Sequence, residues 1–215
     1  MTTTSSKLLQ LAVPLVRSHG FTREALAQSV LHLPNPHPEP LPDISVTALF
    51  GRGDDARRSL LSAWLEDARC RMKENVSSPP TGTSIRHVLH ARMKMNEPVL
   101  GHLPEAFALL ATSSNVLPVD PSPILKHAAL VADQACWIVD PHAKEMSWYT
   151  RRASISAIYL AAELHQFTSP NTAESFLDYL LENSGTAERA VQEVVLFGSY
   201  IFKSWKGIAK SSGVL

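Results

Sequence analysis

The sequence lacks a long hydrophobic run, an excess of charge of either sign, and a cysteine framework. It has no stretch of about 18 apolar residues, so no transmembrane helix is expected. Lys+Arg and Asp+Glu number 20 each, and the formal net charge is zero. Binding to a phosphate backbone by counterion release needs a basic surplus, which this chain does not have. The only cysteines, Cys70 and Cys136, lie far apart in no metal-ligand spacing and read as two buried or half-buried thiols in a reducing compartment. Glu-x-x-His, the helical half-site of a di-iron carboxylate centre, does not occur. A Gly-x-Ser-x-Gly elbow and a phosphate-cradling glycine loop are also missing. His87-x-x-His90 puts two imidazoles on one helix face with no carboxylate at a useful spacing, and reads as a solvated pair. The expectation is a protein that is not an enzyme and carries no cofactor or metal.

Helical periodicity fills most of the 215 residues. Leu8, Leu9, Ala12, Val13, Leu15 and Val16 mark a first helix that stops at Gly20, with Pro14 bending it or delaying its start. Thr22 caps a second helix. The alternating run Pro34-Asn35-Pro36-His37-Pro38-Glu39-Pro40-Leu41-Pro42 is a loop. Asp43 is expected to cap a short helix over 44–50, broken by Gly51 and Gly53, and Asp54-Asp55 open a long helix to Met72. After a loop over 76–82, further helices are predicted over 84–95, 98–112 (kinked near Pro104), 124–139, 147–167, 173–181 and 187–210. The prediction is an all-α fold of about nine to ten helices in three parts: a head over 1–75, a helical body over 76–183 and a C-terminal amphipathic helix over 184–215. Charged residues are only 19%, so part of the surface must be covered or must touch something apolar.

Two stretches resemble known families. The first third reads helix, turn, helix, turn, then a short helix ending Ala48-Leu49-Phe50, with Asp54-Asp55 and Leu60-Leu61 downstream. This resembles the helix-turn-helix head of TetR-type repressors. The middle is more specific. Trp148-Tyr149-Thr150-Arg151-Arg152-Ala153, Ala157-Ile158-Tyr159 and Glu163-Leu164 resemble the signature of the ubiquinone-biosynthesis accessory family often called Coq nine. Ala91-Arg92-Met93, Pro98, His102-Leu103-Pro104-Glu105-Ala106, Leu109-Leu110, Asn115-Val116-Leu117-Pro118 and Phe176-Leu177-Asp178 are similar to that family too. The resemblance implies a TetR-like all-α fold whose head no longer reads DNA. It implies binding of isoprenoid lipids or quinone precursors, peripheral docking on the matrix side of the inner mitochondrial membrane, and partnership with demethoxyubiquinone hydroxylase in the ubiquinone-biosynthesis complex. A mitochondrial location then requires a presequence outside the sequence given; the Ser/Thr-rich first six residues are too short for one and match no secretory signal. The Pro34–Pro42 stretch departs from the family by lengthening the turn before the short helix.

Candidate sites follow from the residues and this resemblance together. In the last helix, Ile201, Phe202, Trp205 and Ile208 share an apolar face, with Lys203 and Lys206 on the opposite side. This composition suits an anionic membrane surface, and suits equally the last helix of a bundle with lysines at its negative end. Trp148 and Tyr149 are neighbours about 100° apart on a helix and cannot both face one core. An exposed aromatic beside Arg152 has the composition of a binding hot spot, or of an aromatic under a stacked guanidinium. The resemblance adds Trp137 to this partner-binding set, and loss of hydroxylase binding is expected for Trp148→Ala. For lipid contact the candidates are Phe107, Leu110, Leu130, Ile155, Ile158, Tyr159 and Ala162, with Ala153, Ala157 and Ala161 leaving space on the same helix; ordinary tight helix packing explains the same pattern. The short helix offers Ser45, Val46 and Thr47 and no Arg or Lys, and the nearby Arg52, Arg57 and Arg58 are matched by Asp54 and Asp55, which disfavours base reading. The alternative remains a ligand-sensing TetR-type repressor; a scaffold without ligand is a third reading. A homodimer through the last helices is compatible with the TetR resemblance.

Overall fold

A computed structural model describes residues 3–74, 84–112, 120–140 and 147–183. The expected loop over 76–82, the Asn115–Pro118 motif and the whole C-terminal helix, with Ile201, Phe202, Lys203, Trp205, Lys206 and Ile208, lie outside the described residues, as does the side chain of Trp148. The described residues form α-helices and short 3-10 turns with no strand, as expected. None of these helices is long and apolar enough to cross a membrane. Close contacts divide the chain into two compact units: residues 1–70 with 96–110, and residues 71–95 with 111–215.

The first unit opens with α1 (Thr3–Ala12), whose Leu8, Leu9 and Ala12 are buried. Pro14 has no N–H to continue the ladder, so the chain tightens into a 3-10 turn over Val13–Leu15 before α2 (Val16–His19). Gly20 then ends the helix at φ 66°, where a Cβ would meet the His102 ring at 2.9 Å. Thr22 caps α3 (Arg23–Gln28), its Oγ1 accepting from the Ala25 N–H at 3.3 Å. Beyond a 3-10 turn over Ser29–His32, the proline-rich loop folds back: the His37 N–H donates to the Val30 carbonyl and the Leu41 N–H to the Ala27 carbonyl.

The next helix, α4 (Asp43–Phe50), corrects one expectation. Pro42, not Asp43, holds its N-cap position, and no side chain caps it. Asp43 is instead the first helical residue, and Arg23 takes its carboxylate. Arg23 Nε and Nη2 donate to Asp43 Oδ1 at 2.8 and 2.6 Å. Nη2 also donates to Thr47 Oγ1 at 2.7 Å, and Nη1 reaches the carbonyls of Gly51 and Gly53, each at 3.4 Å. One guanidinium thus ties α3 to both ends of α4. The long helix α5 (Asp54–Glu74) follows. Arg57 pairs with Asp54 and Glu105 and donates to the Phe21 carbonyl, while Arg58 pairs with Asp55 and donates to the Leu109 carbonyl. Arg57 and Arg58 are therefore engaged within the first unit, as their spacing predicts, whereas Arg52, expected to be matched by the same acids, is exposed, with Asp54 and Asp55 paired to Arg57 and Arg58 instead.

In the second unit α6 (Ile85–Lys94) starts at Ser84, whose hydroxyl accepts from the His87 N–H. The predicted helix over 98–112 resolves into a 3-10 segment, Glu97–His102, and α7 (Leu103–Ala111), both assigned to the first unit except for Ala111. The long helices α8 (Ser122–Val139) and α9 (Ser147–Thr168) pack side by side, and α10 (Ala173–Asn183) packs on α9 and α6. Pairing of Asp133 with Arg152 and of His127 with Glu163 makes α8 and α9 antiparallel.

Removing the Arg23 staple should cost about 1–3 kcal/mol, the range for hydrogen bonds to charged groups. Urea unfolding of Arg23→Ala against the parent chain measures it; an unchanged midpoint would show that α4 is held by apolar packing alone.

Candidate functional site

Glu163 closes the run Ile158-Tyr159-Leu160-Ala161-Ala162 on the buried face of α9, one helical turn beyond Tyr159. A carboxylate so placed needs charge and donors around it, because an unpaired buried ion is prohibitively costly. Three helices supply them. Tyr159 Oη donates to Glu163 Oε1 at 2.6 Å. From α8, His127 Nε2 lies 3.1 Å from Oε2 and 3.4 Å from Oε1. From α6, Arg92 Nη2 stands 3.7 Å from Oε1, and its guanidinium lies 5.9 Å from the centre of the Tyr159 ring, within cation–π range. Arg92 and Glu163 are both 0% exposed. The His127 and Tyr159 rings meet edge to face at 6.0 Å. One turn on, Gln166 Nε2 donates to the Met93 carbonyl at 3.0 Å, a second tie between α9 and α6.

Burial by itself raises the Glu163 pKa. The charges of His127 and Arg92 and the hydrogen bonds from His127 and Tyr159 outweigh it and hold the carboxyl at about 2, against an ordinary 4.5. The group is ionised at neutral pH, and the cluster behaves as a charged lock between α6, α8 and α9. Nothing in the sequence brings Arg92, His127 and Glu163 together. The available signal was an acid and a base each set among apolar helical neighbours, Ala91-Arg92-Met93 and Ala162-Glu163-Leu164.

At the end of α8 and the start of α9 the chemistry turns outward. Trp137 is 52% exposed and Tyr149 74% exposed. Between them in the sequence pattern, Arg152, three residues after Tyr149, forms an ion pair with Asp133, four residues before Trp137. Residues three and four apart share a helix face, so each aromatic stands beside one partner of the pair. Burial lowers the Arg152 pKa from its ordinary value, as befits a guanidinium largely covered at this seam. Cys136, next to Trp137, is buried; desolvation raises its thiol pKa and the Arg151 charge opposes that rise. Of the predicted partner-binding residues, Trp137, Tyr149 and Arg152 thus lie on one end of the α8–α9 pair. Trp148 lies in the first turn of α9.

The predicted lipid-contact residues are spread more widely. Phe107 and Leu110 are buried in α7, which groups with the first unit. Ile155, Ile158, Tyr159 and Ala162 share the buried face of α9, and Tyr159 is also a member of the charged lock. Leu130 is 37% exposed on the outer face of α8, seven residues before Trp137 and in line with it. Along the small-residue stripe of α9, Ala161 and Ala162 are buried, Ala157 is half-buried and Ala153 is exposed. His87-x-x-His90 also differs from its reading as a solvated pair: His90 is half-buried and its Nε2 sits 2.7 Å from Asp178 Oδ1 of α10.

The described residues define an all-α protein that sets an aromatic, arginine-containing surface on a pair of helices locked from within. Residues 122–188, which contain α8, α9 and α10, match the COQ9 family model. Similar curated proteins include the mitochondrial ubiquinone biosynthesis protein coq9 of Schizosaccharomyces pombe, 26% identical over 140 residues that cover 63% of this chain and 54% of that protein. The mitochondrial ubiquinone biosynthesis protein COQ9-A of Xenopus laevis is 25% identical over 94% of this chain and 64% of its own length. The COQ9 protein of Saccharomyces cerevisiae, also named a mitochondrial ubiquinone biosynthesis protein, is 28% identical over 79% of this chain and 68% of its own length. The chain therefore spans between 54% and 64% of the first two relatives. The family match and these relatives agree in making the chain similar to COQ9 proteins over its second half and, more weakly, over most of its length.

Replacing Glu163 by Gln leaves Arg92 buried without its counter-charge and should cost about 3–5 kcal/mol at neutral pH. Because the folded pKa of Glu163 lies below its ordinary value, its contribution is full above pH 4.5 and is lost as pH falls towards about 2. Chemical unfolding across that window should show the loss in the parent chain. Glu163→Gln should lack that part of the pH dependence.

Proposed function

We propose that this chain serves ubiquinone biosynthesis in mitochondria as a non-catalytic accessory protein. It binds the isoprenoid tail of a quinone precursor and presents the ring to demethoxyubiquinone hydroxylase at the matrix face of the inner membrane. The observation that carries this reading is the exposed aromatic pair at the end of α8 and α9. Trp137 and Tyr149 stand in water beside the Arg152–Asp133 pair, within the stretch that matches the COQ9 family. Large exposed aromatics next to an arginine have the composition of a protein-binding hot spot, because their burial by a partner returns much apolar contact for little lost side-chain freedom.

The remaining parts of the proposal follow the family resemblance. The isoprenoid tail gains about 0.8 kcal/mol for each methylene removed from water, which makes extraction into an apolar helical body favourable without any covalent step. Ile155, Ile158 and Ala162 on α9, within the second unit, are the proposed contacts for it. Membrane docking is assigned to Ile201, Phe202, Lys203, Trp205, Lys206 and Ile208 of the C-terminal segment, from their sequence pattern. The head supports an accessory role over a repressor role. Its short helix α4 presents Ile44, 84% exposed, and its neighbouring arginines Arg23, Arg57 and Arg58 are engaged by Asp43, Asp54, Glu105 and Asp55 instead of standing ready for bases.

Tyr149→Ala and Trp137→Ala should each weaken capture of purified demethoxyubiquinone hydroxylase about tenfold or more, with circular dichroism and thermal midpoint unchanged. Full capture by both variants would remove the patch from the interface. Native mass spectrometry of the purified chain, followed by lipid extraction, should find a bound isoprenoid. An empty protein that retards a DNA fragment would return the chain to the repressor class.

A further inference from the structure

The seam between α6 and α10 carries a pattern that neither the charged lock nor the aromatic patch uses. On α6, Arg86, His90 and Lys94 recur every four residues; on α10, Glu174, Asp178 and Glu182 do the same. Residues at this spacing form one stripe along a helix. The two stripes meet in opposite order. Arg86 Nη2 lies 2.8 Å from Glu182 Oε1, and its Nε 3.3 Å from Asp178 Oδ1. His90 Nε2 lies 2.7 Å from Asp178 Oδ1, and its Nδ1 3.8 Å from Glu174 Oε2. Lys94 Nζ lies 3.7 Å from Glu174 Oε1. Three bases face three acids along an antiparallel seam, and the central base is an imidazole.

That position has a chemical consequence. A neutral imidazole has one N–H and one lone pair, so between two carboxylates it can donate to only one and must turn its lone pair toward the other. The protonated ring donates from both nitrogens. With His90 charged the seam is balanced at three against three; with His90 neutral the acidic stripe is in excess by one. The groups that face His90 are Glu174 and Asp178 from α10, with Arg86 and Lys94 flanking it on its own helix; α8, also packed on α6, places no charged group in ion-pair range of it among the described residues. Arg86 cannot compensate, because its pKa is raised by the hydrogen bond it donates to Glu182 and by the Asp178 charge, and it is charged in both states. His90 is the rung best covered from solvent, with 19% of its side chain exposed against 45% for Arg86 and 63% for Lys94. Screening therefore weakens it least.

We propose that the α6–α10 seam is a proton-operated latch, with His90 as its titrating rung: protonation fastens α10 to α6, and loss of the proton loosens it. The apolar side of α10, through Ala173, Leu177 and Leu180, stays buried in both states, so the latch modulates opening of α10 without unfolding the unit. Imidazole is the side chain whose charge ordinarily changes between about pH 5 and 8. The inference rests on the charge pattern of this seam and is independent of the proposed lipid and hydroxylase roles.

Amide hydrogen exchange of the full chain, read by mass spectrometry and corrected for the intrinsic chemical rate, tests it at about pH 5.5 and about pH 8. Peptides from α10 should be about three- to tenfold less protected at the higher pH, while peptides from α8 hold their protection. His90→Gln should abolish the difference with α10 weakly protected at both values, and His90→Lys should abolish it with α10 well protected at both. High salt should shrink the parent chain's difference. Equal protection of parental α10 at the two pH values would overturn the latch, and so would a pH difference that survives His90→Gln.

Discussion

The second unit depends on a single carboxylate. Glu163 is wholly buried, and the enthalpy of its contacts must exceed the cost of removing an ion from water. It does so by drawing a charge or a donor from each of three helices: the Arg92 charge from α6, His127 from α8 and the Tyr159 hydroxyl from its own α9. Apolar faces can slide past one another by a turn at little cost, because dispersion is non-directional. A hydrogen-bonded buried ion cannot, since any shift strands a charge. The lock therefore fixes register among helices whose other contacts are mostly alanine, valine and leucine.

Register at the centre decides what appears at the surface. Trp137 lies ten residues beyond His127 along α8, and Tyr149 fourteen residues before Glu163 along antiparallel α9. The lock at one level of the helix pair thus sets which side chains meet at its far end, where Arg152 and Asp133 close the seam between two exposed aromatics. A partner meeting this surface finds it already arranged, and little ordering cost remains to be met on binding.

The first unit uses a different device for a similar end. Arg23 spends its guanidinium on an acid, a hydroxyl and three carbonyls, and so holds a short helix that follows a run of alternating prolines. A helix of this length has little stability of its own, because nucleation outweighs propagation over two turns. Its position is imposed by the side chain that grips it and by Val46 and Phe50 beneath it.

Local features were legible in the sequence wherever the cause was local. The Pro14 interruption, the stop at Gly20, the Thr22 cap, the pairing of Arg57 and Arg58 with nearby acids, and the long helices α5, α8 and α9 all follow from spacing and from the hydrogen-bonding capacity of single residues. The exposed aromatics were half legible: adjacency of Trp148 and Tyr149 required one to turn outward, and Tyr149 does. What the sequence could not contain was the meeting of residues far apart in the chain. His127 and Glu163 are separated by 36 positions and Arg23 and Asp43 by 20, and no periodicity within one helix states which face of a neighbour it will meet. Asp43 shows the difference most simply. As a lone residue before a helix it has the chemistry of a cap, and only the arrival of Arg23 from another helix makes it an ion-pair partner instead. The sequence by itself determined the helices and their buried faces, because backbone hydrogen bonding and apolar period act within a turn or two. Tertiary structure alone decided which charges became partners, because a buried ion is stabilised by whatever the packed chain brings within about 4 Å of it.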